Sequence, residues 1–581
     1  MGKPLKKTEE IEKAEDKVAE GTEEKKKIKD KIEKRIYIGP TIAGIFSGTI
    51  FEGNKYPVYL EKALEEHPEI KNLLVPVDSE LAKKKANLNI KGTKENIFFN
   101  ILKIKNRREE TMSFKHGITG IETPTSVVAV VAQGLTPTYV GTAPINMGNT
   151  KNVNEPILCY SYQEAVENFG FVKDFKNYTL CEAIDAHFSK FGIGPIVLIN
   201  VLDPAIHKEK VETKSINLKA NKTYVIEEIG VLKDTVKITS EIDVVKEFND
   251  EGYLVLAPTA DGEPAASITV GYEKLKPTDI TKNEIVGGID TDSGKKKGLE
   301  CISTVFPKYR LIPNPILAPK YSTDSVVAAV METKASLVNG HFQSIALVDI
   351  DTKTVKKYSD VPKTKNDNNL ISTFLDVYYP KVALGDNQYH LSTQTACVMQ
   401  LLANESEDVP YRSPSNQSIK ADRACLEDGT DVLLGIDEAN YMNGEGVNTV
   451  INWIGGWKVW GNRTSCFPSN TDPKDAFIAS RMMFNYLNNA LVLTFWQKVD
   501  NATNKNLIKT ITDTINIWLN GLMASGYIVG GRVEFRSEDN PMTSLIAGKI
   551  KFKIYYTPVL PAEEICFDKE IDLNYYNTLF Q

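Results

Sequence analysis

Two rhythms of apolar residues run through this chain, and the place where one replaces the other limits its architecture more than any other feature. From residue 127 to about 210, and again from 298 to about 460, continuous apolar runs of strand length alternate with helical spacing. The runs 127–131, 196–201 and 344–349 read as buried strands of the kind found in parallel sheets. The stretches 162–169, 179–191, 298–306 and 323–339 read as helices. Between 211 and 297 the helical spacing stops. Short strands at 222–227, 235–238, 253–257 and 266–271, with turns at Asn249-Asp250-Glu251-Gly252 and Asp261-Gly262, take over. The economical account is an α/β domain, 127–210 and 298–460, interrupted by an inserted β-rich domain, 211–297. The fold class expected is therefore multidomain α/β and α+β.

The ends of the chain follow other patterns. Residues 1–35 hold 12 Lys or Arg and 10 Asp or Glu with only isolated apolar residues, which predicts a charged helical or flexible segment. Residues 36–111 read as a small appended α/β module that ends in the polar hinge Arg107-Arg108-Glu109-Glu110. Towards the other end, helices are expected over 473–499, capped by Thr471 or Asp472, and over 505–525, followed by strands at 531–536 and 549–556; 461–560 thus forms an α+β C-terminal domain. After Pro558 and Pro561, the stretch Ile565-Cys566-Phe567-Asp568-Lys569-Glu570-Ile571-Asp572-Leu573 alternates apolar and polar side chains in a strand pattern. A strand that leaves its own domain invites pairing with a neighbour's sheet edge.

Function classes fall away in turn. With 69 Lys+Arg against 76 Asp+Glu, the net charge is −7, lacking the basic surplus that phosphate binding requires, so no nucleic-acid partner is expected. The N-terminal residues continue in charge rather than in an apolar stretch, and no segment reaches the ~20 apolar residues of a membrane span, so neither a secretory signal nor stable membrane insertion is expected. Seven scattered cysteines form no C-x-x-C pair and suggest free thiols. The six histidines lack metal-ligand spacing, and the clusters Glu427, Asp428, Asp431 and Asp437, Glu438 lack a calcium-loop pattern, so no metal or other cofactor is expected. Asp386 and His390 are close enough to pair, yet no G-x-S-x-G elbow supplies a nucleophile, and Gly294-Lys295-Lys296-Lys297-Gly298 lacks the Walker spacing. Trp453, Trp457, Trp460 and Phe467 read as core or subunit-contact aromatics. No catalytic residues and no enzymatic activity are expected.

Specific strings then carry a resemblance. Thr-Lys-Asn-Glu-Ile-Val-Gly-Gly-Ile-Asp at 281–290 is followed by Gly-Lys-Lys-Lys-Gly-Leu-Glu at 294–300, Val305-Phe306-Pro307, Leu311-Ile312-Pro313 and Leu317-Ala318-Pro319. Further on come Ser413-Pro414-Ser415-Asn416, Gly-Val-Asn-Thr-Val-Ile-Asn at 446–452 and Gly-Trp-Lys-Val-Trp-Gly-Asn-Arg-Thr at 456–464. With the start Phe-Lys-His-Gly-Ile-Thr-Gly-Ile at 114–121 and Thr123-Pro124-Thr125, this pattern over 112–581 resembles the sheath protein of contractile phage tails; residues 1–111 have no place in it. The resemblance implies a structural subunit polymerising with itself as stacked hexameric rings around a tail tube, and contracting to drive the tube through a target envelope. It implies extended arms at 112–126 and 561–581, with Phe114, Ile118, Ile121, Ile565, Phe567, Ile571 and Leu573 as inter-subunit strand-exchange residues. Tail tube, baseplate and tail terminator proteins are the further partners implied. Arg481, Lys498, Lys505 and Lys509 become candidate tube contacts, because the C-terminal domain is tube-proximal in that family. The location implied is the virion tail, assembled in the bacterial host cytoplasm. The competing reading is a non-contractile surface or adhesion protein of a virus particle that binds through the β-rich insertion.

Overall fold

The computed structural model describes residues 34–42, 45–53, 56–78, 80–88, 93–109, 130–239, 242–259 and 264–580. Residues 1–33 of the charged segment 1–35 and the expected N-terminal arm 112–126 lie outside them; Lys34 and Arg35, expected in that helical or flexible segment, instead open the strand Lys34–Tyr37, held by pairing with Ile50–Glu52 and Leu74–Pro76. At the centre is an eight-stranded sheet, in the order Gly456–Trp460, Val447–Trp453, Leu375–Tyr378, Ala346–Asp349, Ile316–Leu317, Thr138–Gly141, Ile196–Asn200 and Ile157–Cys159. The six inner strands run parallel and each outermost strand pairs antiparallel. Parallel strands need cover on both faces. Here the helices Thr179–Ile184, Ser325–Ser336 and Leu391–Asn404 supply it, each buried on most of its surface. Asp324 caps Ser325–Ser336, its carboxylate accepting the Val326 N–H at 2.9 Å.

The expected strand at 127–131 is not where the sheet forms. Residues 127–129 lie outside the described set, while Val130 and Val131 carry no strand, and Val131 is exposed and donates its N–H to Thr494 Oγ1 at 2.9 Å. The strand is Thr138–Gly141, placed by its pairing between Ile196–Asn200 and Ile316–Leu317.

The insertion folds as two three-stranded antiparallel sheets around its own core of Ile216, Tyr224, Ile226, Leu254, Leu256, Ile268, Val270 and Tyr272. One sheet is built on Lys208–Asn217, a strand whose charged sequence KEKVETKSIN carries no apolar run. It is held to Ser267–Leu275 by backbone pairing and by cross-strand ion pairs such as Lys208–Glu273 at 2.7 Å and Lys274–Glu209 at 3.1 Å. Its first residue, Lys208, lies opposite Leu275, so the insertion enters and leaves at neighbouring points.

The N-terminal module is docked rather than tethered. Its strands Lys34–Tyr37, Ile50–Glu52 and Leu74–Pro76 continue into Gly288–Asp290 and Lys296–Lys297 as one five-stranded sheet, with Phe51 opposite Ile289 in a parallel pair. Residues 288–297, which the sequence rhythm assigns to the insertion, thus complete the module's sheet. Ile36, Ile50, Leu60 and Ile70 belong to the same continuous core as the central sheet. Lys85 pairs with Glu332, and Glu300 accepts the Ile50 N–H at 3.3 Å while pairing with the buried Lys334 at 2.5 Å.

One buried carboxyl makes the stability of the central sheet depend on pH. Asp376 is fully buried in Leu375–Tyr378 with no cation paired to it among the described residues, and burial pushes its carboxyl well above the usual range, the Tyr378 hydroxyl offsetting only part of that rise. A carboxyl whose pKa is higher folded than unfolded favours the fold at low pH, and that contribution fades as pH rises from about 4 towards the folded value. Asp376→Asn is therefore expected to raise Tm by a few degrees at neutral pH, with the gain over wild type vanishing near pH ~4 in thermal melts. For the docked module, Ile50→Ala is expected to lower stability by about 3 kcal/mol and shift one cooperative calorimetric transition shared with the α/β domain; a separate early transition for residues 34–109 would contradict the shared core.

Candidate assembly surface

The C-terminal unit packs two helices, Ile478–Phe495 and Lys505–Ala524, against the antiparallel hairpin Ile528–Glu534 and Lys553–Pro558. Leu507, Ile511, Ile515, Leu519 and Leu522 fall at helical spacing along one face of the second helix and meet Met483, Tyr486, Leu487, Ile528 and Val533 in a separate core. Asn504 caps that helix, accepting the Leu507 N–H at 2.9 Å, and Asn516 Oδ1 accepts the Val533 N–H at 2.9 Å, tying helix to hairpin. Gly531 allows the close approach, since a Cβ there would sit 3.1 Å from Tyr556 Cβ and 3.2 Å from Leu519 Cδ1. Among the described residues no third strand joins the hairpin, so both of its edges are free of strand pairing, although Asn516 occupies the Val533 N–H.

The expected continuous helix over 473–499 is instead Pro473–Ala476 and Ile478–Phe495, interrupted at Phe477 in extended backbone. The break has a tertiary cause. The Thr464 N–H donates to Ala476 O and the Ile478 N–H to Asn462 O, both at 2.9 Å, so the chain either side of Phe477 pairs with 462–464. Asp472 is the cap, accepting the Lys474 N–H at 3.0 Å.

Beyond Pro558 the chain leaves the body. Residues 562–579 are all exposed, without regular structure up to the short 3₁₀ turn Leu573–Phe580. Ile565, Phe567, Ile571 and Leu573 are 69%, 79%, 78% and 71% exposed, far above what apolar side chains of a self-contained domain show as a row. Alternate side chains of an extended strand share a face, so these four and Lys569 line one side. Phe114, Ile118 and Ile121 lie outside the described residues.

The root of this arm is held by two residues to which the sequence reading gave no role. Arg463 donates from Nε to Glu563 Oε1 at 3.0 Å and from its terminal nitrogen to the second carboxylate oxygen. The guanidinium lies 3.8 Å from the Phe477 ring centre and 4.5 Å from that of Phe467. Arg463 stands in the Gly-Asn-Arg-Thr string, but nothing in the spacing links it to a carboxylate a hundred residues on.

The four basic candidates separate. Arg481 does not face outward: it is 7% exposed, paired with Asp475 at 3.0 Å, bonded to Asn485 Oδ1 at 3.1 Å and packed beside Phe374 and Phe484. Its position in the first turns of a helix whose N-terminal end is buried against the sheet domain turns its charge inward. Lys498 is half-buried, and Lys505 and Lys509 are exposed.

Other polar groups resolve into structure. Asp386 does not pair with His390; the imidazole Nδ1 lies 2.8 Å from Glu182 Oε2, and Nε2 accepts the Lys320 N–H at 3.0 Å. Burial pushes the Glu182 carboxyl up, but His390 and Lys381 outweigh it and hold it below the usual range. Burial lowers the His187 imidazole to about 3, between Tyr139 Oη at 2.7 Å and Gln400 Oε1 at 3.0 Å. A cleft of about 500 Å³ beside His390 is rimmed by Lys176, Lys356 and Lys381, but Glu427 and Asp428 pair with them. Among the described residues no group of three His, Cys, Asp or Glu is placed to hold a metal, and no helix is long and apolar enough to cross a membrane. Six cysteines are buried and Cys566, on the arm, is exposed. Trp453 stands exposed at the tip of the outermost hairpin of the central sheet, while Trp457 and Trp460 are half-buried.

A covered α/β core with projecting apolar chain and open sheet edges is the build of a structural protein that associates. Known proteins of similar sequence are tail sheath proteins. The chain is 26% identical over 495 residues to the tail sheath protein of Burkholderia phage BcepMu, covering 80% of this chain and 98% of that one. It is 24% identical to a putative prophage major tail sheath protein of Pseudomonas aeruginosa, covering 58% and 85%, and 25% identical to the major tail sheath protein of Serratia phage KSP20, covering 60% and 87%. Similar solved structures are the sheath complex of the extracellular contractile injection system PVC in its contracted state (14% identical, 80% of this chain and 99% of that one, TM-score 0.49) and the contracted helical sheath of the anti-feeding prophage (15% identical, 79% and 99%, TM-score 0.48). No protein-family model matches. The chain thus resembles phage tail sheath proteins, which are structural proteins rather than enzymes.

Arg481→Ala is expected to cost about 2–3 kcal/mol in urea unfolding, because it empties a buried site packed on Phe374 and Phe484 and strips Asn485 and one oxygen of Asp475 of their partner, although Lys474 and Asn470 still hold the other Asp475 oxygen; Lys505→Ala and Lys509→Ala stay within about 0.5 kcal/mol of wild type.

Proposed function

We propose that the chain is the subunit of a contractile tail sheath, polymerising as stacked hexameric rings around a tail tube in the virion and contracting to drive that tube through a target envelope. The observation that carries this reading is the exposed apolar arm together with the unpaired hairpin Ile528–Glu534 and Lys553–Pro558, in a chain that spans 98% of a phage tail sheath protein. Ile565, Phe567, Ile571 and Leu573 add a strand to a neighbour's hairpin, and Phe114, Ile118 and Ile121 do the same from the N-terminal side. Strand addition satisfies backbone groups on both chains and survives rigid-body rotation of the domains it joins. Lys498, Lys505 and Lys509 face the tube; baseplate and terminator proteins close the ends of the polymer. If contraction buries ~500 Å² more per subunit, at ~25 cal/mol/Å² it releases on the order of 10 kcal/mol for each, enough for a polymer of many subunits to work without a nucleotide.

Deleting residues 562–581 is expected to abolish striated tubes in negative-stain electron microscopy while leaving the circular dichroism and thermal melt of the monomer unchanged. Tubes of normal length from the truncated chain would overturn the reading. Tubes that form but never exist in a second, shorter and wider state would favour the non-contractile surface protein instead.

A further inference from the structure

Between Pro558, which is buried, and Phe580, the arm makes one hydrogen-bonded or ionic contact with the body among the described residues: Glu563 on Arg463. Its other bonds are local turns, among them Asn574 N–H to Asp572 Oδ1 at 2.9 Å, Tyr575 N–H to Asp572 O at 3.2 Å and Thr578 Oγ1–H to Tyr575 O at 2.7 Å. The Arg463 side is rigid. Its side chain is 15% exposed, its carbonyl accepts from Asn448 Nδ2 at 3.0 Å, and its backbone bridges to Phe477, while the guanidinium is seated between Phe467 and Phe477. Asn448 belongs to the central sheet and Phe477 opens the long C-terminal helix, so Arg463 stands where those two bodies meet. The Glu563 side is exposed, and one residue, Glu564, separates it from Ile565, the first apolar residue of the arm's strand face.

We propose that Arg463 and Glu563 form a latch that sets the direction in which the C-terminal arm leaves its subunit, making Arg463 a positioning residue for strand exchange. This rests on the reading of 561–581 as an exchanging arm. A bidentate guanidinium–carboxylate pair fixes an angle as well as a distance, which a single lysine contact does not. With the root aimed, the arm searches a smaller volume before it finds a neighbour's hairpin, and less conformational entropy is lost on docking. Because Glu563 is half-exposed, the latch weakens as salt rises. Placed at the junction of the central sheet and the C-terminal helices, it reports to the arm any change in how those two bodies meet.

The chain carries its own probe. Cys566, three residues past Glu563, is the exposed thiol among seven, the other six being buried, so a nitroxide reagent labels it selectively in the full-length unassembled protein. The spectrum of wild type is expected to contain an immobilised component that Glu563→Gln and ~1 M salt both reduce, while Glu564→Gln, the same charge change one residue on, leaves it in place. Glu563→Gln is also expected to raise the protein concentration needed for tube formation roughly three- to tenfold with an unchanged monomer melt. A Glu563→Gln spectrum that superimposes on wild type, or one that changes no more than that of Glu564→Gln, overturns the latch. The latch and the arm fail separately: unchanged spectra with tubes lost on deleting 562–581 remove the latch alone, whereas tubes that survive the deletion remove the arm reading even if the spectra respond.

Discussion

Six parallel strands at the centre of the sheet cannot be left open to water on either face, and most of the molecule is arranged around that requirement. The helices Thr179–Ile184, Ser325–Ser336 and Leu391–Asn404 are buried almost all round because they lie between the sheet and further layers. On the outer side of Ser325–Ser336 the further layer is the N-terminal module, whose helix Leu81–Asn87 sends Lys85 to Glu332. The module's apolar residues and those of the sheet form one core, so the module is a covering layer of the α/β domain.

Much of this was legible in the sequence, and the exceptions have identifiable causes. The helix Tyr162–Phe169 and the strand Ile196–Asn200 follow from local pattern alone, because each carries its whole signal within its own residues. Lys208–Asn217 was not legible, since its stability comes from partners sixty residues away rather than from an apolar face. The Phe477 break was hidden for the same kind of reason: Asn462 and Thr464 compete for the backbone that a continuous helix would use. Thr138–Gly141 is a short strand whose identity comes from the two strands flanking it, and the stronger apolar run before it drew the assignment away.

The candidate surface divides along similar lines. An alternating pattern stranded beyond two prolines is a local signal, and the exposed row Ile565, Phe567, Ile571 and Leu573 carries it into three dimensions. Charge on a helix is a weaker signal, because sequence says which turn a residue occupies but not what packs on that turn. Arg481 illustrates this, with Asp475, Asn485 and two phenylalanines around it. Arg463 and Glu563 illustrate the opposite failure, a pair joined by the fold across a hundred residues with no motif to mark it.

The β-rich insertion has a core of its own, and its first and last strands begin and end side by side, with Lys208 opposite Leu275. A segment whose ends already meet adds little loop-closure entropy to the domain that hosts it, whatever its length. Its interior can therefore drift, shrink or be replaced by an unrelated fold while the host sheet keeps its geometry. The position behaves as a socket, at which a lineage of such chains is free to change what it displays without renegotiating how it is built.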